Sequence, residues 1–273
     1  MSESILVAVG QFAPTADSAA NLAAIDELAT RAAARSARVV VFPEYSSYFE
    51  KEMGPGFVAA AQPLDGSFVR GLGRIAARLD LHVVAGLVAS TGTERFSNTL
   101  VAVAPSGEVA ASYRKLHLYD AFGQRESDWV LPGEIEAPQT FVVDGFTLGL
   151  QTCYDIRFPE VTRMLVDAGV EVVVLPAEWV RGPLKEHHWR TLVTARAIEN
   201  TIYVAAADHV PPVGVGNSMI VDPHGVEIAA IGDEPGIAVA EVRRDRLTDV
   251  RRVNPALALR RFRVVPAEPA SDR

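Results

Sequence analysis

The single cysteine of this chain, Cys153, has the greatest potential for chemistry. It stands in the string LGLQTCYDIRFPE, where an apolar stretch ends and polar residues and a proline follow. In chains that alternate strands and helices, a side chain that follows a strand faces a cleft, which suits a nucleophile. A buried cysteine that only fills space is the commoner role for this residue type. The neighbours of Cys153 must therefore decide between a reactive thiol and a packing residue.

Two charged residues could activate such a thiol. A thiol with a pKa near ~8.5 is only a few per cent ionised at pH 7, so it needs a base or a nearby cation. Glu44 follows the apolar run VVVFP and could be the base, whereas Lys115, in SYRKLHLYD, could be the cation. Taken alone, each could equally be an exposed surface charge. If the strands before Glu44 and Cys153 are both central, their carboxyl ends can converge on one site.

Glu126 is a third candidate. It lies eleven positions after Lys115 within 116–138, a polar and turn-rich segment that contains AFGQRESDWVLPGE. A loop of that length in a compact domain is usually functional or disordered. Glu126 could position the lysine or the substrate, or it could be an ordinary surface glutamate.

The elements that must position these residues recur in the same order in two halves. VVVFPE at 39–44 matches VVVLPAE at 172–178, and APSGEVAA at 104–111 matches DPHGVEIAA at 222–230. We predict an α/β fold, namely a four-layer α-β-β-α sandwich of two pseudo-symmetric halves. The sandwich forms one domain over 1–273, with a short C-terminal tail from about 262. The first half is a strand at 5–10, a helix at 19–35, a strand at 39–42, a helix at 67–79, a strand at 82–88 and a hairpin at 98–113. The second is a strand at 147–152, a helix at 159–167, a strand at 172–175, a helix at 186–200, a strand at 203–207 and a hairpin at 217–231.

Composition excludes several functions. A net charge of -8 and a pI near 5.3 argue against a nucleic-acid surface, which needs clustered basic residues. The apolar run at 5–9 is too short for a signal peptide or a membrane helix, so we expect a cytoplasmic protein with no membrane partner. The six histidines are scattered without metal-ligand spacing.

Four blocks together resemble the nitrilase superfamily of carbon–nitrogen hydrolases: FPE at 42–44, RKLHLYD at 114–120, ES at 126–127 and CYDIRFPE at 153–160. The resemblance extends from VGQFAP to the arginine-rich RRVNPALALRRF segment. It implies the same sandwich, usually as a homodimer or higher homo-oligomer. It also implies a catalytic Glu, Lys, Cys triad at Glu44, Lys115 and Cys153, with Glu126 as a second glutamate. No metal or organic cofactor is expected.

Within the superfamily, these strings look like the omega-amidases and deaminated-glutathione amidases. The resemblance implies cleavage of a small omega-amide of a dicarboxylic or 2-oxo acid, or of deaminated glutathione, to an acid and ammonia or an amine through a cysteine thioester. A nitrilase or an N-carbamoyl amino acid hydrolase could use the same triad. A catalytically silent binding or scaffold protein is the alternative outside enzymes.

Four further residues are expected at the substrate. The backbone N–H of Tyr154 could stabilise an oxyanion, and Trp179 belongs to a block near the pocket of such relatives. Arg157 could bind a carboxylate bidentately or could be a structural ion-pair partner. Glu178 stands where relatives often carry a small residue, and the segment at 209–219 looks shorter than in many relatives. Both departures lie where substrate choice could be set.

Overall fold

The structure is a computed structural model that describes residues 3–267, and it consists of two six-stranded sheets with helices outside them. The α-helices in this part of the chain are α1 (Ser18–Ala33), α2 (Pro55–Ala60), α3 (Ser67–Leu79), α4 (Pro159–Asp167), α5 (Lys185–Asn200) and α6 (Arg244–Val253). The strands are β1 (Ser4–Gln11), β2 (Val39–Val41), β3 (His82–Ser90), β4 (Phe96–Val103), β5 (Val109–Arg114), β6 (Thr140–Val143), β7 (Phe146–Leu150), β8 (Val172–Pro176), β9 (Tyr203–Ala207), β10 (Met219–Val221), β11 (Glu227–Ala230) and β12 (Gly236–Arg243).

The two halves of the chain form equivalent sheets. The first sheet has the order β12-β1-β2-β3-β4-β5, and the second has β11-β10-β9-β8-β7-β6. In each half, three parallel strands are followed by an antiparallel hairpin, β1-β2-β3 with β4-β5 and β7-β8-β9 with β10-β11. The predicted sandwich of two pseudo-symmetric halves is confirmed.

Alternate residues of the central strands supply different apolar layers. In β2, Val39 and Val41 pack between the two sheets together with Val172 and Val174 of β8. Val40 points the other way, into the layer between the first sheet and helices α1 and α3. Parallel strands that are covered on both faces have no polar side, which explains the unbroken VVV runs.

The helix ends follow local sequence signals. Asp17 caps α1, because its Oδ1 accepts the N–H groups of Ala19 and Ala20 at 2.9 and 3.1 Å. Pro159 opens α4, where its missing N–H costs nothing. These signals fix where each helix leaves the strand before it, and so they fix where the strand-end residues lie.

Some elements were absent from the sequence prediction, namely α2, β6, β12 and α6. The strand β12 pairs antiparallel with β1 along its whole length, from Ser4 opposite Arg243 to Gln11 opposite Gly236. Its pairing partner lies at the other end of the chain, so no local pattern announces it. Of the expected tail, 262–267 has neither helix nor strand, and 268–273 lies outside the described residues. No helix within 3–267 is both long and apolar enough to cross a lipid bilayer.

The layer between the sheets should dominate the stability of the fold. Val174 is fully buried there, whereas Val142 on the edge strand β6 is 60% exposed. We expect Val174→Ala to lower the free energy of unfolding by ~2 kcal/mol, because it removes buried methyl groups and leaves a cavity. The matched change Val142→Ala should have an effect below ~0.5 kcal/mol. Urea denaturation measures both, and equal losses would contradict the assigned core.

Candidate active site

Four residues from the sequence prediction converge on one cavity. Glu44 follows β2, Lys115 follows β5, Cys153 follows β7, and Glu126 begins a 3₁₀ turn at Glu126–Asp128. All four line a cavity with a volume of about 390 Å³. Each of them is at most 5% exposed, so Glu44, Lys115 and Glu126 are not exposed surface charges.

The centre of the site is the ammonium group of Lys115. Its Nζ donates to Oε1 of Glu44 at 2.9 Å, and to Oε1 and Oε2 of Glu126 at 3.1 and 2.9 Å. A buried ammonium would be costly without such partners. The lysine thus joins a carboxylate from the end of β2 to one from the loop that follows β5.

Neighbouring donors add further hydrogen bonds to both carboxylates. Asn98 Nδ2, on β4, donates to Oε1 of Glu44 at 2.6 Å and to Oε1 of Glu126 at 3.1 Å. The hydroxyl of Tyr45 and the backbone N–H of Tyr119 also donate to Glu126, at 2.5 and 2.6 Å. This network fixes the orientation of both carboxylates before any substrate binds.

The charges of this cluster stabilise one another. Burial alone would lower the pKa of Lys115, but the carboxylates of Glu126 and Glu44 raise it well above its usual value. Burial would raise the pKa of Glu126, yet Lys115 and the donors from Tyr45 and Tyr119 hold it below its usual value. Lys115 is therefore a permanent cation and Glu126 a permanent anion at neutral pH.

Cys153 lies at a strained backbone position. Its φ is 43°, a left-handed conformation that residues other than glycine seldom adopt, at the start of a 3₁₀ turn over Cys153–Arg157. The turn is held by Thr152, whose Oγ1 donates to the Pro176 carbonyl at 2.9 Å. Burial and the nearby Glu44 raise the pKa of the Cys153 thiol well above its usual value, against the effect of Lys115. Before reaction, Cys153 is consequently a neutral thiol, and the Glu44 carboxylate is the nearby group that can accept its proton.

The backbone around Glu44 is also constrained. A Cβ on Gly86 of β3 would lie 2.3 Å from the Tyr45 nitrogen and 2.7 Å from Glu44 Cα, so only glycine permits this approach. On the other side, Nε2 of His209 lies 2.6 Å from the Glu44 carbonyl oxygen. Burial lowers the pKa of His209 to about 4, so the ring is neutral and Nε2 carries the hydrogen that it donates.

Of the predicted substrate residues, Tyr154, Glu178 and Trp179 line the cavity. Tyr154 is the second residue of the 3₁₀ turn, where backbone N–H groups have no partner within the turn. Glu178 meets the reactive residues through its backbone: its N–H donates to Oε2 of Glu44 at 2.7 Å, and its carbonyl accepts from Cys153 Sγ at 3.5 Å. The 209–219 segment also reaches the cavity, through Pro212 and Val213.

Arg157, the fourth predicted substrate residue, contacts aromatic rings near the cavity. Its guanidinium lies 5.0 Å from the ring centroid of Trp179 and 5.9 Å from those of Tyr154 and Phe122, and Arg157 is not among the residues that line the cavity. Within the described residues it has no carboxylate partner, and its Nε is buried without a hydrogen bond. Residues 3–267 thus offer Arg157 no ion-pair partner, and its role at the substrate stays a prediction.

Sequence reasoning missed several residues of the site. Asn98 had a signal, because it belongs to a polar triplet, Ser97–Thr99, at the start of an otherwise apolar strand. Lys185 has no distinguishing sequence context beyond being one of only three lysines in the chain, yet it is 7% exposed and lines the cavity. Tyr45 directly follows Glu44, and nothing in its sequence context distinguishes its hydroxyl from that of a packing tyrosine.

Known proteins similar to this chain agree in family. Residues 6–252 match the carbon–nitrogen hydrolase family. A deaminated glutathione amidase from Escherichia coli O157:H7 is 41% identical over 258 residues, covering 94% of this chain and 98% of that protein. Another deaminated glutathione amidase, from Rattus norvegicus, is 32% identical and covers 94% of this chain and 82% of the relative.

Solved structures have the same architecture. An amidase from Nesterenkonia sp. superposes with a TM-score of 0.78 at 30% identity, covering 95% of this chain and 98% of its own. In one structure of a variant of that amidase, acrylamide has added to the active-site cysteine. The Saccharomyces cerevisiae protein Nit3, a member of the nitrilase superfamily, superposes with a TM-score of 0.85 at 26% identity. The family match and these relatives confirm the predicted resemblance, and the chain belongs to the carbon–nitrogen hydrolase family.

Proposed function

We propose that the protein is an amidase that hydrolyses a small, carboxylate-bearing amide through a thioester on Cys153. The observation that carries this proposal is the buried ammonium of Lys115, held between Glu44 and Glu126 in the cavity that contains Cys153. A cysteine, a base and a fixed cation within one buried site are the parts that nucleophilic attack on a carbonyl requires.

In the first half of the reaction, Glu44 takes the proton of Cys153 as the sulfur attacks the amide carbon. The carbonyl oxygen becomes negative, and the Lys115 ammonium and the Tyr154 backbone N–H stabilise it. Glu44 then gives the proton to the amide nitrogen. The C–N bond breaks, ammonia or an amine leaves, and a thioester remains on Cys153.

Hydrolysis of the thioester reverses these roles. Glu44 takes a proton from water, whose oxygen attacks the thioester carbon, and the C–S bond breaks. The sulfur recovers the proton from Glu44, and the carboxylic acid product leaves. Glu126 is a positioning residue in this scheme, because its carboxylate holds Lys115 and is itself held by Tyr45 and Tyr119.

Two lines of support favour an amide that carries a carboxylate. Two relatives that each match 94% of this chain are named deaminated glutathione amidases. In addition, Arg157 and Lys185 stand beside the Trp179 ring, and within residues 3–267 neither pairs with a carboxylate. Nitriles and N-carbamoyl amino acids remain alternative substrates for the same residues. A homodimer or higher homo-oligomer in the cytoplasm stays a prediction.

Replacing the nucleophile tests the whole scheme. We expect wild type to release ammonia from 2-oxoglutaramate or deaminated-glutathione-type amides. Cys153→Ser should lose at least ~10³-fold in kcat, because the hydroxyl is a far weaker nucleophile at its ordinary pKa. Coupled ammonia assays measure the turnover of wild type and of Cys153→Ser on these amides, on aliphatic amides, on nitriles and on N-carbamoyl amino acids. Turnover by Cys153→Ser at the wild-type rate would refute the thioester, and silence of wild type across the panel would refute the proposed amidase.

Glu126 should act through the lysine rather than through the substrate proton. We expect Glu126→Gln to lower kcat by about 10²-fold, since it removes the charge that holds the Lys115 ammonium. Steady-state kinetics should show this loss in kcat, with KM changed by less than about threefold. Glu94→Gln, on an exposed loop, is the matched control and should behave as wild type. Wild-type kinetics in Glu126→Gln would assign Glu126 a packing role instead.

A further inference from the structure

Asp155 is a buried carboxylate that the proposed reaction leaves without a task. It lies fully buried in the 3₁₀ turn that begins at Cys153, and it is not among the residues that line the cavity. Its oxygens accept from the Tyr113 hydroxyl at 2.7 Å, from the backbone N–H of His117 at 3.0 Å and from the ring Nδ1 of His117 at 2.8 Å. His117 and Asp155 belong to two of the blocks that carry the family resemblance, RKLHLYD and CYDIRFPE, but the reaction uses neither.

The two partners of Asp155 lie on either side of Lys115. Tyr113 stands two positions before the lysine, near the end of β5, and His117 stands two positions after it. Asp155 itself stands two positions after Cys153. Within residues 3–267 no hydrogen bond joins the Lys115 ammonium directly to the Cys153 sulfur. One carboxylate thus joins the backbone on both sides of the lysine to the turn that carries the thiol.

The donors that meet Asp155 are fixed in orientation. Tyr113 is 8% exposed, and burial and the charge of Asp155 raise its pKa well above the usual value, so its hydroxyl keeps its hydrogen. The ring of His117 stacks on Phe158, with 3.7 Å between the centroids and 8° between the planes. The backbone N–H of Phe158 donates in turn to the Asp155 carbonyl at 2.9 Å. These contacts leave the carboxylate one arrangement of partners.

Asp155 also closes the turn that holds Cys153 in its strained conformation. The backbone N–H of Thr152 donates to Oδ2 of Asp155 at 3.4 Å, and the backbone N–H of Asp155 donates to the Thr152 carbonyl at 3.0 Å. Cys153 lies between them with a φ of 43°. Such a conformation persists only where surrounding contacts outweigh its cost. Asp155 therefore fixes the direction in which the thiol leaves the backbone.

The relative position of thiol and ammonium matters for one step of the proposed reaction. The oxyanion forms on the carbon that Sγ attacks, so the backbone of Cys153 sets its place. The ammonium that stabilises it comes from Lys115, on another strand end. Donors stabilise an oxyanion best when they already stand at the right distance, and a displacement of 1 Å can cost ~10²-fold in rate. A contact that fixes this distance therefore acts on oxyanion formation.

We propose that Asp155 is a positioning residue that sets the place of the Lys115 ammonium relative to the Cys153 thiol, with Tyr113 and His117 as its donors. This inference rests on the proposed thioester function and deepens it. Glu126 holds the ammonium from within the cavity, whereas Asp155 holds the backbone on either side of the lysine from outside it. An attack by the same sulfur that forms no oxyanion does not need this contact.

Two reagents that react with the same sulfur test the proposal. p-Nitrophenyl acetate acylates it through an oxyanion: the S–C bond forms, the C–O bond breaks, p-nitrophenolate leaves, and Glu44 takes the thiol proton. Iodoacetamide alkylates it by direct displacement of iodide, with the proton again passing to Glu44 and no oxyanion formed. Cys153 is the only cysteine of the chain, and Cys153→Ala gives the background at other side chains. The ratio of the acylation to the alkylation rate constant thus isolates oxyanion stabilisation.

Removal of a donor should lower this ratio. We expect Tyr113→Phe and His117→Ala each to lower it about tenfold, with alkylation within about threefold of wild type. His117→Asn, whose side-chain N–H can replace Nδ1, should restore most of the ratio. Asp155→Asn removes the charge and turns one acceptor into a donor, and it should lower the ratio about 10- to 100-fold.

Two matched variants serve as controls. Tyr203→Phe removes the hydroxyl of another buried tyrosine, which contacts the backbone of Arg243 at the start of β9, at the opposite strand ends from the cavity. His224→Ala removes an exposed histidine from the turn between β10 and β11. Both should keep the wild-type ratio.

The outcomes separate this inference from the function on which it rests. The positioning role is wrong if Tyr113→Phe and His117→Ala keep the wild-type ratio, or if acylation and alkylation fall together. If wild type is acylated but hydrolyses no amide, the proposed amidase fails, while the ratio still decides the role of Asp155. If wild type is not acylated, the thioester and the positioning role fail together. Thermal melts identify any variant that does not fold, and Tyr113→Phe and His117→Asn, the mildest changes, then decide.

Discussion

The burial of one ammonium between two carboxylates constrains the rest of this molecule. Lys115 is 2% exposed, and removing its charge from water is tolerable only because Glu44 and Glu126 lie within 3.1 Å of it. Each carboxylate in turn needs donors, which come from Asn98, Tyr45 and the backbone of Tyr119. The contacts join β2, β4, the end of β5 and the loop beyond it, so the cluster specifies how these elements meet.

The internal symmetry of the fold places two glutamates, Glu44 and Glu178, at equivalent strand ends, but only Glu44 has an ion-pair partner among the described residues. β2 and β8 occupy equivalent places in the two sheets, and each is followed by a glutamate after a proline. Glu44 is neutralised by Lys115, which follows the hairpin of the first half, whereas the hairpin of the second half supplies no lysine. Glu44 thus has a cationic partner, whereas the carboxyl group of its counterpart Glu178 has none within the described residues. The same repeat therefore gives its two glutamates different surroundings.

Rigidity at the site comes from packing on both sides of Glu44. Gly86 lets the backbone of Glu44 lie against β3, and His209 holds its carbonyl from the second half of the chain. Cys153 is placed by the 3₁₀ turn that Thr152 ties to the end of β8. Because neighbours fix both backbones, the carboxylate and the thiol meet without a substrate to bring them together.

The sequence by itself determined most of the strands and helices and their order in the two halves, but not α2, β6 or α6, because the predicted elements depend on apolar periodicity and capping residues within short windows. It also singled out Glu44, Lys115, Glu126 and Cys153, since each stands at a strand end or in a long polar loop. It did not reveal β12, whose partner β1 is more than two hundred positions away. Only the tertiary structure decided which charges are neutralised. Lys115 and Lys185 are both buried lysines, but one lies against two carboxylates and the other against aromatic rings. That difference arises from contacts between distant segments.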